Sequence, residues 1–599
     1  MVTRRTFTQG LVGAGAGLVL GPRPGESSVS RAGAAEAVPA GELGARVTLG
    51  AERMTRGGVP AFTREFILAD VALDPPRRFN EYSGDLSGRY VEALSLLPPP
   101  GGAGLDALVH DILGHQLPDG RFGDPDLRYT AAEIGGQHMA QLWGNGRLLL
   151  GLVQYHASTG DERTLAAARR LADFLTGIRA QTSDPAVVGR LLDQGAMGII
   201  CFTQLNEPLV LLAALTGESR YLDEARRIGA TLGARGVQHA HGYLTTARGM
   251  VALATATRDA ALLERVETLY ADLVASPDLL YLGGFPEFFG GKENGKPLRD
   301  EGCAIADFLR LSLMLHRATG KTGYLERAER CLLNHLYFNQ FSTGDFGHRV
   351  FFEDGIAPTE SVGRAWWCCT MHGYRAYRHV LDSLVRREGS VAHVDLYQDF
   401  DWSGDGLEIA GRYRADSPLR SRFTVDVKKA ARGMSLAFRR PSWAATVKVT
   451  RAAAPASADQ AEGPLTAPVA AGDRVEVTFE HRAWLETRDR RTVALDDVDG
   501  ESEGLLFVGP WLYAIDEGTE PLFFGEPWKR ANVVLLPEVL RAPAEPVERT
   551  PFADPARHIE TRYVHGGFPG EHPVTLRPVA EQTGQEPGTV ATWITWRRG

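Results

Sequence analysis

A helical hairpin recurs along the middle of this 599-residue chain. Each unit is an apolar helix that ends at glycine or a charged turn, followed by a second helix whose Leu and Ala residues fall three or four positions apart. The turn glycines Gly160 and Gly217 are 57 residues apart (217 minus 160), and Gly320 follows after almost two further periods. Because one hairpin cannot bury its own apolar face, the repeat predicts a stacked array of helical hairpins.

The array is predicted to close into a ring. About six hairpins fit between residues 76 and 390, counting a degenerate first pair near Tyr90–Leu113 and a last helix at Tyr374–Arg387. Six hairpins in a ring form an (α/α)6 toroid, whose inner helices and loops line a cavity. An open solenoid is the alternative, and it would present a concave protein-binding face. The Gly- and Phe-rich segment 283–290 favours the toroid, because such a loop suits the lining of a cavity.

Apolar and polar residues alternate after residue 390. Arg422–Lys428 and Val475–Phe479 each place their large apolar residues at every second position. This spacing predicts an antiparallel β-sandwich over residues 391–540, with a second small β region or an extended wrap over 541–599. Short mixed apolar runs in 38–75 predict one or two strands that pack on the β domain. The predicted fold class is therefore multidomain α + β, with the (α/α)6 barrel over 76–390 followed by the sandwich.

The first 37 residues have the order of an export signal. Arg4 and Arg5 precede the apolar run Leu11–Leu20, and Ala35-Glu36-Ala37 offers a cleavage site between small residues. Paired arginines point to the twin-arginine route, and a chance pair on an ordinary secretory signal is the alternative. The apolar run is too short for a stable membrane span. We expect an exported protein, periplasmic or extracellular.

Charge and cysteine content exclude some classes of protein. The formal net charge is -9, which argues against nucleic acid and anionic membranes as partners. Only five cysteines are present, too few for a disulfide scaffold in a chain of this size. The sequence does not determine an oligomeric state.

Three of the five cysteines lie in two short units, Glu301-Gly302-Cys303 and Cys368-Cys369. Three thiolates and one carboxylate make a complete tetrahedral ligand set for zinc. Adjacent cysteines seldom bond to each other, because the small ring strains the peptide, so a shared metal explains the doublet better than a disulfide. The alternative is a set of buried apolar cysteines, since free Cys is among the most buried residue types.

The two units, together with Arg440–Ala444 and Gly509–Ala514, resemble family 127 of the glycoside hydrolases, whose type enzymes are retaining β-L-arabinofuranosidases. The resemblance covers most of the chain beyond the leader, and its specific part is the Glu-x-Cys and Cys-Cys units. It implies a Zn²⁺ cofactor and a nucleophilic thiolate at Cys368. The implied zinc ligands are Glu301, Cys303, Cys368 and Cys369.

A retaining glycosidase also needs a proton donor. Glu287 is the candidate, because phenylalanines flank it and apolar neighbours keep a carboxyl group protonated. The family carries a Glu with this role in a comparable Gly-rich stretch. A solvent-exposed loop carboxylate is the alternative reading, and Asp300 is the local competitor for the role.

Polar residues at the starts of apolar helices are candidates for binding sugar hydroxyls. For each of them a satisfied core or surface group is an equally good interpretation. His372, four residues after Cys368, is also placed to support a metal ligand. The candidates are His138, Gln204, His241, Tyr243 and His372.

The surroundings of the cysteines depart from the family pattern. Gln204 stands where histidine is expected, and Thr370-Met371-His372 replaces the common Pro-Pro-Asn after the doublet. The predicted function is a zinc-dependent retaining glycoside hydrolase acting on terminal furanosides of an oligo- or polysaccharide, with β-L-arabinofuranoside the first to test. Two alternatives are a carbohydrate-binding protein with structural zinc and a polysaccharide lyase on the same barrel.

Overall fold

In a computed structural model of the protein, the described residues are 36–73, 79–97, 104–192, 194, 197–290, 298–357, 365–451, 465–525, 529–543, 552–582 and 589–599. All but the last two residues of the predicted export signal (1–37) lie outside them. Among the described residues, no helix is both long enough and apolar enough to span a membrane.

The chain divides into two compact units. The helical unit contains 50–324 and 366–378, and the β unit contains 36–49, 325–365 and 379–599. The helices are α1 (Gly41–Thr55), α2 (Arg64–Ala72), α3 (Asp85–Leu96), α4 (Leu105–Gly114), α5 (Gly136–Thr159), α6 (Glu162–Gly177), α7 (Arg179–Thr182), α8 (Pro185–Leu191), α9 (Ile200–Thr203), α10 (Asn206–Thr216), α11 (Ser219–Ala230), α12 (Ala240–Thr257), α13 (Ala260–Ala275), α14 (Gly302–Thr319), α15 (Thr322–Arg330), α16 (Tyr337–Asn339) and α17 (Trp367–Leu381). A π-helical segment, Cys331–Leu336, joins α15 to α16.

The helical unit is an (α/α)6 toroid. Its inner helices, α3, α5, α10, α12, α14 and α17, are buried on nearly all sides. The outer helices between them, such as α6 and α11, bury one apolar face only, as amphipathic surface helices do. The ring closes at α17, because Arg375 on this helix pairs with Glu92 on α3 and with Asp307 on α14.

The repeated turns have a common backbone geometry. Gly160, Gly217 and Gly320 each end an inner helix in the left-handed conformation, with φ of 77°, 73° and 72°. Glycine has no Cβ to oppose this conformation, and the N–H of each one bonds the carbonyl four residues earlier. The predicted repeat of helical hairpins is therefore confirmed.

Two inner helices approach each other through glycine. A Cβ on Gly151 of α5 would lie 2.5 Å from the carbonyl oxygen of Gly88 on α3, and a Cβ on Gly88 would lie 2.4 Å from backbone atoms of Arg147. Only glycine permits this contact. The close approach lets Asp85 on α3 accept a hydrogen bond of 2.8 Å from the indole of Trp143 on α5.

The β unit contains three sheets. Its strands are β1 (Glu36–Pro39), β2 (Val350–Phe351), β3 (Gly355–Ala357), β4 (Val385–Glu388), β5 (Val391–Val394), β6 (Phe400–Gly404), β7 (Leu407–Ser417), β8 (Arg420–Ala430), β9 (Ser435–Phe438), β10 (Ala444–Arg451), β11 (Leu465–Pro468), β12 (Arg474–His481), β13 (Ala483–Glu486), β14 (Thr492–Ala494), β15 (Glu501–Val508), β16 (Trp511–Asp516), β17 (Val533–Leu536), β18 (Ile559–Val564), β19 (Glu571–Pro578), β20 (Val590–Ala591) and β21 (Ile594–Arg598).

The sandwich is built from a six-stranded sheet of order β1-β6-β7-β8-β12-β10 and a four-stranded sheet of order β11-β9-β5-β4. The predicted alternation is confirmed in β8 and β12, where Val425 pairs with Val475 and Phe423 with Val477, all of them buried. An 11-stranded sheet takes in β13 to β21 together with β2 and β3. Pairing is antiparallel except between β5 and β9 and between β17 and β21.

The predicted N-terminal strands are wrong over most of their length. Only β1 forms, and it pairs with β6, whereas α1 and α2 occupy the rest of the segment. The reason is spacing: Leu43, Val47, Ala51 and Met54 are buried at intervals of three or four residues along one face of α1. This helical period outweighs the short mixed apolar runs on which the strand prediction rests.

Two predicted domain boundaries also differ from the structure. Residues 325–365 lie in the β unit, although the barrel was predicted to run unbroken to 390. Their strands β2 and β3 join the 11-stranded sheet through β20. The segment after 541 is not a separate region, because β18, β19 and β21 belong to that same sheet.

Candidate functional site

The two cysteine units meet inside the helical unit. The carboxylate of Glu301 and the sulfurs of Cys303, Cys368 and Cys369 all lie within 4.8 Å of one another. We call these four residues the cysteine cluster. Cys303 and Cys369 are fully buried, Glu301 is 5% exposed, and Cys368 is partly exposed. Within the cluster, the Cys368 thiol is therefore accessible, and the thiols of Cys303 and Cys369 are buried.

Helix starts position the cluster. Glu301 is the N-cap of α14, with Cys303 in its first turn, and Cys368 and Cys369 lie in the first turn of α17. The N-terminal end of a helix carries partial positive charge and free N–H groups, which stabilise a nearby carboxylate or thiolate. Two such ends bring the four potential ligands together and offset part of the cost of burying negative charge there.

The donor set fits zinc. Tetrahedral zinc with bonds of about 2.3 Å places two sulfurs about 3.8 Å apart. The Cys303 and Cys369 sulfurs are 3.8 Å apart. Three soft sulfurs and one carboxylate are the ligand types that zinc prefers over calcium or magnesium.

The three thiols differ in acidity. Hydrogen bonds from Cys303 and Cys369 lower the pKa of Cys368 to about 6. Burial raises the pKa of Cys303 and of Cys369 well above the usual value for a thiol. Arg89 supports the negative charge, since one of its N–H groups lies 3.5 Å from the sulfur of Cys303. Cys368 is thus the thiol that ionises first.

His239 is the neighbour of Glu301. Its Nε2 atom lies 3.3 Å from the Glu301 carboxylate. Burial raises the pKa of Glu301 to about 7, against the opposing charge of His239. For His239, burial opposes the charged ring, but the Glu301 carboxylate outweighs it and raises the pKa to about 9. The pair keeps a cation directly beside the cysteine cluster.

Backbone bonds on two sides hold the loop that carries Glu287. The Glu287 N–H donates to the carbonyl of Arg299 at 3.2 Å, and its own carbonyl accepts from the N–H of Ala240 at 2.9 Å. Phe288 packs on His239 with ring centroids 5.0 Å apart. The loop is therefore attached both to the start of α12 and to the chain entering α14.

The Glu287 carboxylate is not in the apolar environment that its neighbours in sequence predict. It forms an ion pair with Arg299, and 16% of the side chain is exposed. Oxygens of Glu287 and Glu301 and a nitrogen of His239 lie within 4.8 Å of one another. Glu301 belongs both to this group and to the cysteine cluster. The candidate acid, Glu287, and the candidate nucleophile, Cys368, therefore lie on either side of the Glu301 carboxylate.

A buried carboxylate, Asp307, organises the wall of the site. It lies four residues after Cys303 on α14 and is fully buried. One oxygen accepts from His372 Nε2 at 3.1 Å and pairs with Arg248 at 2.9 Å, and the other pairs with His241. Burial opposes its charge, but the surrounding cations, Arg248 foremost, hold the pKa of Asp307 well below the usual value.

Both histidines in this wall are neutral. Burial, reinforced by Arg89 for His241 and by Arg375 for His372, holds the pKa of each ring well below the usual value. Arg89 lies 2.9 Å from His372 Nδ1 and Arg375 lies 2.6 Å from Nε2, so each nitrogen of this ring faces a guanidinium group. A nitrogen of each ring lies within 4.8 Å of the Cys303 sulfur. His241 and His372 are therefore beside the cluster, both of them buried, and their role in binding substrate stays a prediction.

The other three predicted sugar-binding residues are engaged elsewhere. Gln204 is fully buried, accepts from Arg147 and donates to the carbonyl oxygens of Trp143 and Cys201. His138 bonds the carbonyl of Arg128 at 3.2 Å. Tyr243 is buried, and its ring packs edge-on against a neighbouring phenylalanine of the Glu287 loop. These contacts support structural roles and not sugar contacts.

Sequence reasoning missed His239, Asp307, Arg89 and Arg299. Two of them carried a usable signal: His239 precedes His241 by two residues at a helix start, and Asp307 follows Cys303 by one helical turn. Arg89 had none, because its contacts with Cys303 and His372 join segments 214 and 283 residues apart. Arg299 lies 12 residues from Glu287, and no spacing pattern marks that pair.

Comparison with known proteins agrees with this site. The family model for the β-L-arabinofuranosidase GH127 catalytic domain matches residues 102–381. No curated protein sequence matches the chain.

Solved structures support the fold. A GH127 β-L-arabinofuranosidase from Geobacillus stearothermophilus T6 is similar, with a TM-score of 0.66 and 16% identity over 94% of this chain and 100% of that one. A second GH127 β-arabinofuranosidase has a TM-score of 0.69 and 16% identity over 95% and 99%. At this identity the likeness establishes the architecture alone. The matched domain, which contains the whole cysteine cluster, belongs to glycoside hydrolase family 127, and the protein is a glycoside hydrolase.

Proposed function

We propose that the protein is a retaining β-L-arabinofuranosidase that releases terminal furanose from an oligo- or polysaccharide. The names of the similar structures support this substrate class. The observation that carries the proposal is the cysteine cluster, in which four ligand atoms converge within 4.8 Å and only Cys368 is partly exposed. A purely structural zinc site would have no need to expose one of its sulfurs.

Glu301, Cys303, Cys368 and Cys369 would hold Zn²⁺. When bound, zinc supplies Lewis acidity that keeps sulfur in the thiolate form at neutral pH. The protein itself also favours the thiolate, since neighbouring thiols lower the pKa of Cys368 to about 6. The partly exposed Cys368 is then a nucleophile near neutral pH.

In the first half of the reaction, Glu287 donates a proton to the glycosidic oxygen. The Cys368 sulfur forms a bond to the anomeric carbon as the carbon–oxygen bond breaks, and the remainder of the glycan leaves with the proton. Two nitrogens of Arg299 contact the same oxygen of Glu287, Oε2, which fixes the direction of the group and leaves Oε1 to carry the proton.

In the second half, Glu287 accepts a proton from water. The water oxygen attacks the anomeric carbon from the face that the leaving group occupied, and the carbon–sulfur bond breaks to restore the thiolate. Two displacements at one carbon return the original configuration. His241 and His372, each with a ring nitrogen within 4.8 Å of the Cys303 sulfur, would bind hydroxyls of the sugar.

The test is hydrolysis of an aryl β-L-arabinofuranoside by three variants. Cys368→Ala and Glu287→Gln should each lower kcat/KM by at least about 10³-fold, since each removes a group that takes part in bond making. Cys201→Ala is the matched control, because Cys201 is a buried thiol of the same unit outside the cluster. Full activity of Cys368→Ala would contradict the nucleophile.

The anomer of the first product tests the stereochemistry. Proton NMR at early times should show the β-anomer of L-arabinose before mutarotation. An α-anomer as first product would rule out double displacement.

Metal content tests the cofactor separately. We expect one zinc per chain, lost in Cys303→Ala, and a lower Tm after removal of metal by a chelator, because a ligand that binds only the folded state stabilises it. Retention of stoichiometric zinc by a Cys303→Ala/Cys369→Ala double variant would place the metal elsewhere.

We also propose export by the twin-arginine route, on the order of charged, apolar and small residues in 1–37. A reporter fused to these residues should reach the periplasm or medium, and an Arg4→Lys/Arg5→Lys variant should not. Export of that variant at the normal rate would point to the general secretory route.

A further inference from the structure

An aromatic cavity of about 340 Å³ lies in the β unit. Its walls come from the start of α1, the α15–α16 region, β7, β16 and the segment that begins at Phe552. None of its lining residues belongs to the helical unit that holds the cysteine cluster. The volume falls at the lower end of the range of small-molecule sites, about 300–1,000 Å³.

Aromatic rings dominate the lining of this cavity. They are Tyr337, Tyr397, Tyr413, Trp443, Trp511 and Phe552. The face of an aromatic ring carries partial negative charge, so it attracts the C–H bonds of a compact ring such as a sugar. The lining also contains the polar residues Glu42, Glu329, Gln398, Asp399, Asp554 and Arg557. Aromatic rings combined with placed polar groups are typical of a site for one small ligand.

Most of the polar atoms on these rings already have protein partners. The Tyr337 hydroxyl donates to Gln398 at 2.6 Å, and the Tyr397 hydroxyl donates to the carbonyl of Arg439 at 2.6 Å. The Trp443 indole donates to the carboxylate of Glu329 at 2.7 Å. These groups hold the walls in place and are not available to a ligand.

Two polar atoms in the lining are less well satisfied. Trp511 is 4% exposed, and neither its indole nitrogen nor the Tyr413 hydroxyl makes a hydrogen bond of normal geometry to a described residue, although the two groups interact with each other and Tyr413 also with Ser421. A buried polar atom without a well-formed hydrogen bond is destabilising. Arg557 lies over the Trp511 ring at 4.7 Å and fixes its orientation. The cavity thus offers one N–H and one hydroxyl that a guest can satisfy.

The charges around the cavity are balanced within the protein. Glu42 pairs with Arg46 and Arg557, at 2.8 and 3.3 Å. Glu329 forms an ion pair with Arg439. Asp554 lies 3.6 Å from Arg557, and an oxygen of Asp399 accepts from the Tyr413 N–H at 2.6 Å, so each acidic group of the lining already has a partner within the protein.

We propose that the aromatic cavity is a second, non-catalytic sugar site that binds one neutral pentose or hexose unit. The rings receive the C–H faces, and the Trp511 N–H donates to a hydroxyl oxygen of the sugar while the Tyr413 hydroxyl exchanges a hydrogen bond with another. The chemistry of the cavity carries this inference, and the identity of the chain as a glycoside hydrolase only guides the choice of probe.

The test compares two Trp→Phe substitutions in the zinc-loaded full chain. Ligand-observed NMR titrations with L-arabinose and D-galactose give Kd for wild type, Trp511→Phe, Tyr413→Phe and Trp596→Phe. Trp511→Phe removes an N–H that makes no well-formed hydrogen bond to a described residue, so Kd should rise about five- to tenfold for at least one sugar while Tm changes little. Tyr413→Phe should weaken binding of the same sugar.

Trp596→Phe is the matched control. Trp596 is fully buried in the same unit, lies outside the lining, and donates to the carbonyl of Gly504 at 2.9 Å. Trp596→Phe removes this hydrogen bond, so it should lower Tm by a few degrees and leave sugar binding unchanged. This pattern is the opposite of the one expected for Trp511→Phe.

Two results would overturn the proposal. One is an unchanged Kd in Trp511→Phe for both sugars, which would assign all binding to other sites. The other is binding of D-glucosamine tenfold tighter than that of D-glucose, which would show a cation site. The kcat of Trp511→Phe on an aryl arabinofuranoside should equal that of wild type, so failure here is separate from failure of the proposed function.

Discussion

Asp307 supports the catalytic wall, and its removal should be costly. It is fully buried and pairs with Arg248 at 2.9 Å and Arg375 at 3.2 Å, besides bonding two histidines. Asp307→Asn keeps the size of the side chain and one acceptor oxygen but removes the charge. Both arginines keep a second partner, since Glu207 pairs with Arg248 and Glu92 with Arg375.

The expected loss follows from the cost of breaking a buried ion pair, about 3–5 kcal/mol. Because the second partners remain, we take the lower end, about 3 kcal/mol. For folding units of 150–250 residues each kcal/mol shifts Tm by about 2–4 °C, and the helical unit (50–324 and 366–378) is larger, so we take the lower value and expect Tm to fall by about 6 °C. Thermal unfolding of the full, metal-free chain, followed by far-ultraviolet circular dichroism at pH 7, measures this shift.

The control is a carboxylate at the surface of the same unit. Asp173 pairs with Arg220 at 2.6 Å, but both side chains are about half exposed. Exposed pairs are worth about 0–1 kcal/mol, so Asp173→Asn should change Tm by no more than about 4 °C. Equal shifts for the two substitutions would refute the assignment of Asp307 as an electrostatic centre.

The pH dependence gives an independent check. The folded pKa of Asp307 lies well below that of an unfolded Asp, about 3.9, so its contribution is complete above pH 4 and is lost as the pH falls toward the folded value. The gap between wild type and Asp307→Asn should therefore shrink below pH 4 by about 1.4 kcal/mol per pH unit. A gap that stays constant down to pH 3 would contradict this reasoning.

Two further predictions concern the helix contact and the thiols. Gly151→Ala should lower Tm, because its Cβ would lie 2.5 Å from the Gly88 oxygen and overpacking costs about 1–3 kcal/mol. The control is Gly177→Ala, whose Cβ meets nothing within 4 Å and which should be neutral or stabilising. Equal Tm values for the two variants would argue against the close contact. In metal-free protein, iodoacetamide should alkylate Cys368 before the other thiols, because only the thiolate reacts. The rate should rise with pH and reach half its maximum near pH 6. Peptide mass spectrometry that finds Cys303 labelled first would contradict the assigned acidity.

Local patterns predicted much of the architecture. The turn glycines, the alternation in β8 and β12, and the Glu-x-Cys and Cys-Cys units each depend on residues close in sequence, and each is confirmed in the structure. The strand prediction at Phe66–Leu68 failed because a helix and a buried strand can share a short apolar run.

The sequence by itself determined the hairpin repeat, the sandwich and the set of sulfur donors, because period and spacing are local properties of the chain. Only the tertiary structure decided which charges meet: Arg299 at Glu287, His239 at Glu301, and the arginines around Asp307. The pairs made by His239 and by Asp307 join segments from different turns of the toroid, whereas Arg299 reaches Glu287 across 12 residues of one connection, and no local pattern encodes any of them. Their physical reason is burial, since a carboxylate enclosed by inner helices is stable only where a cation from a neighbouring helix or loop reaches it.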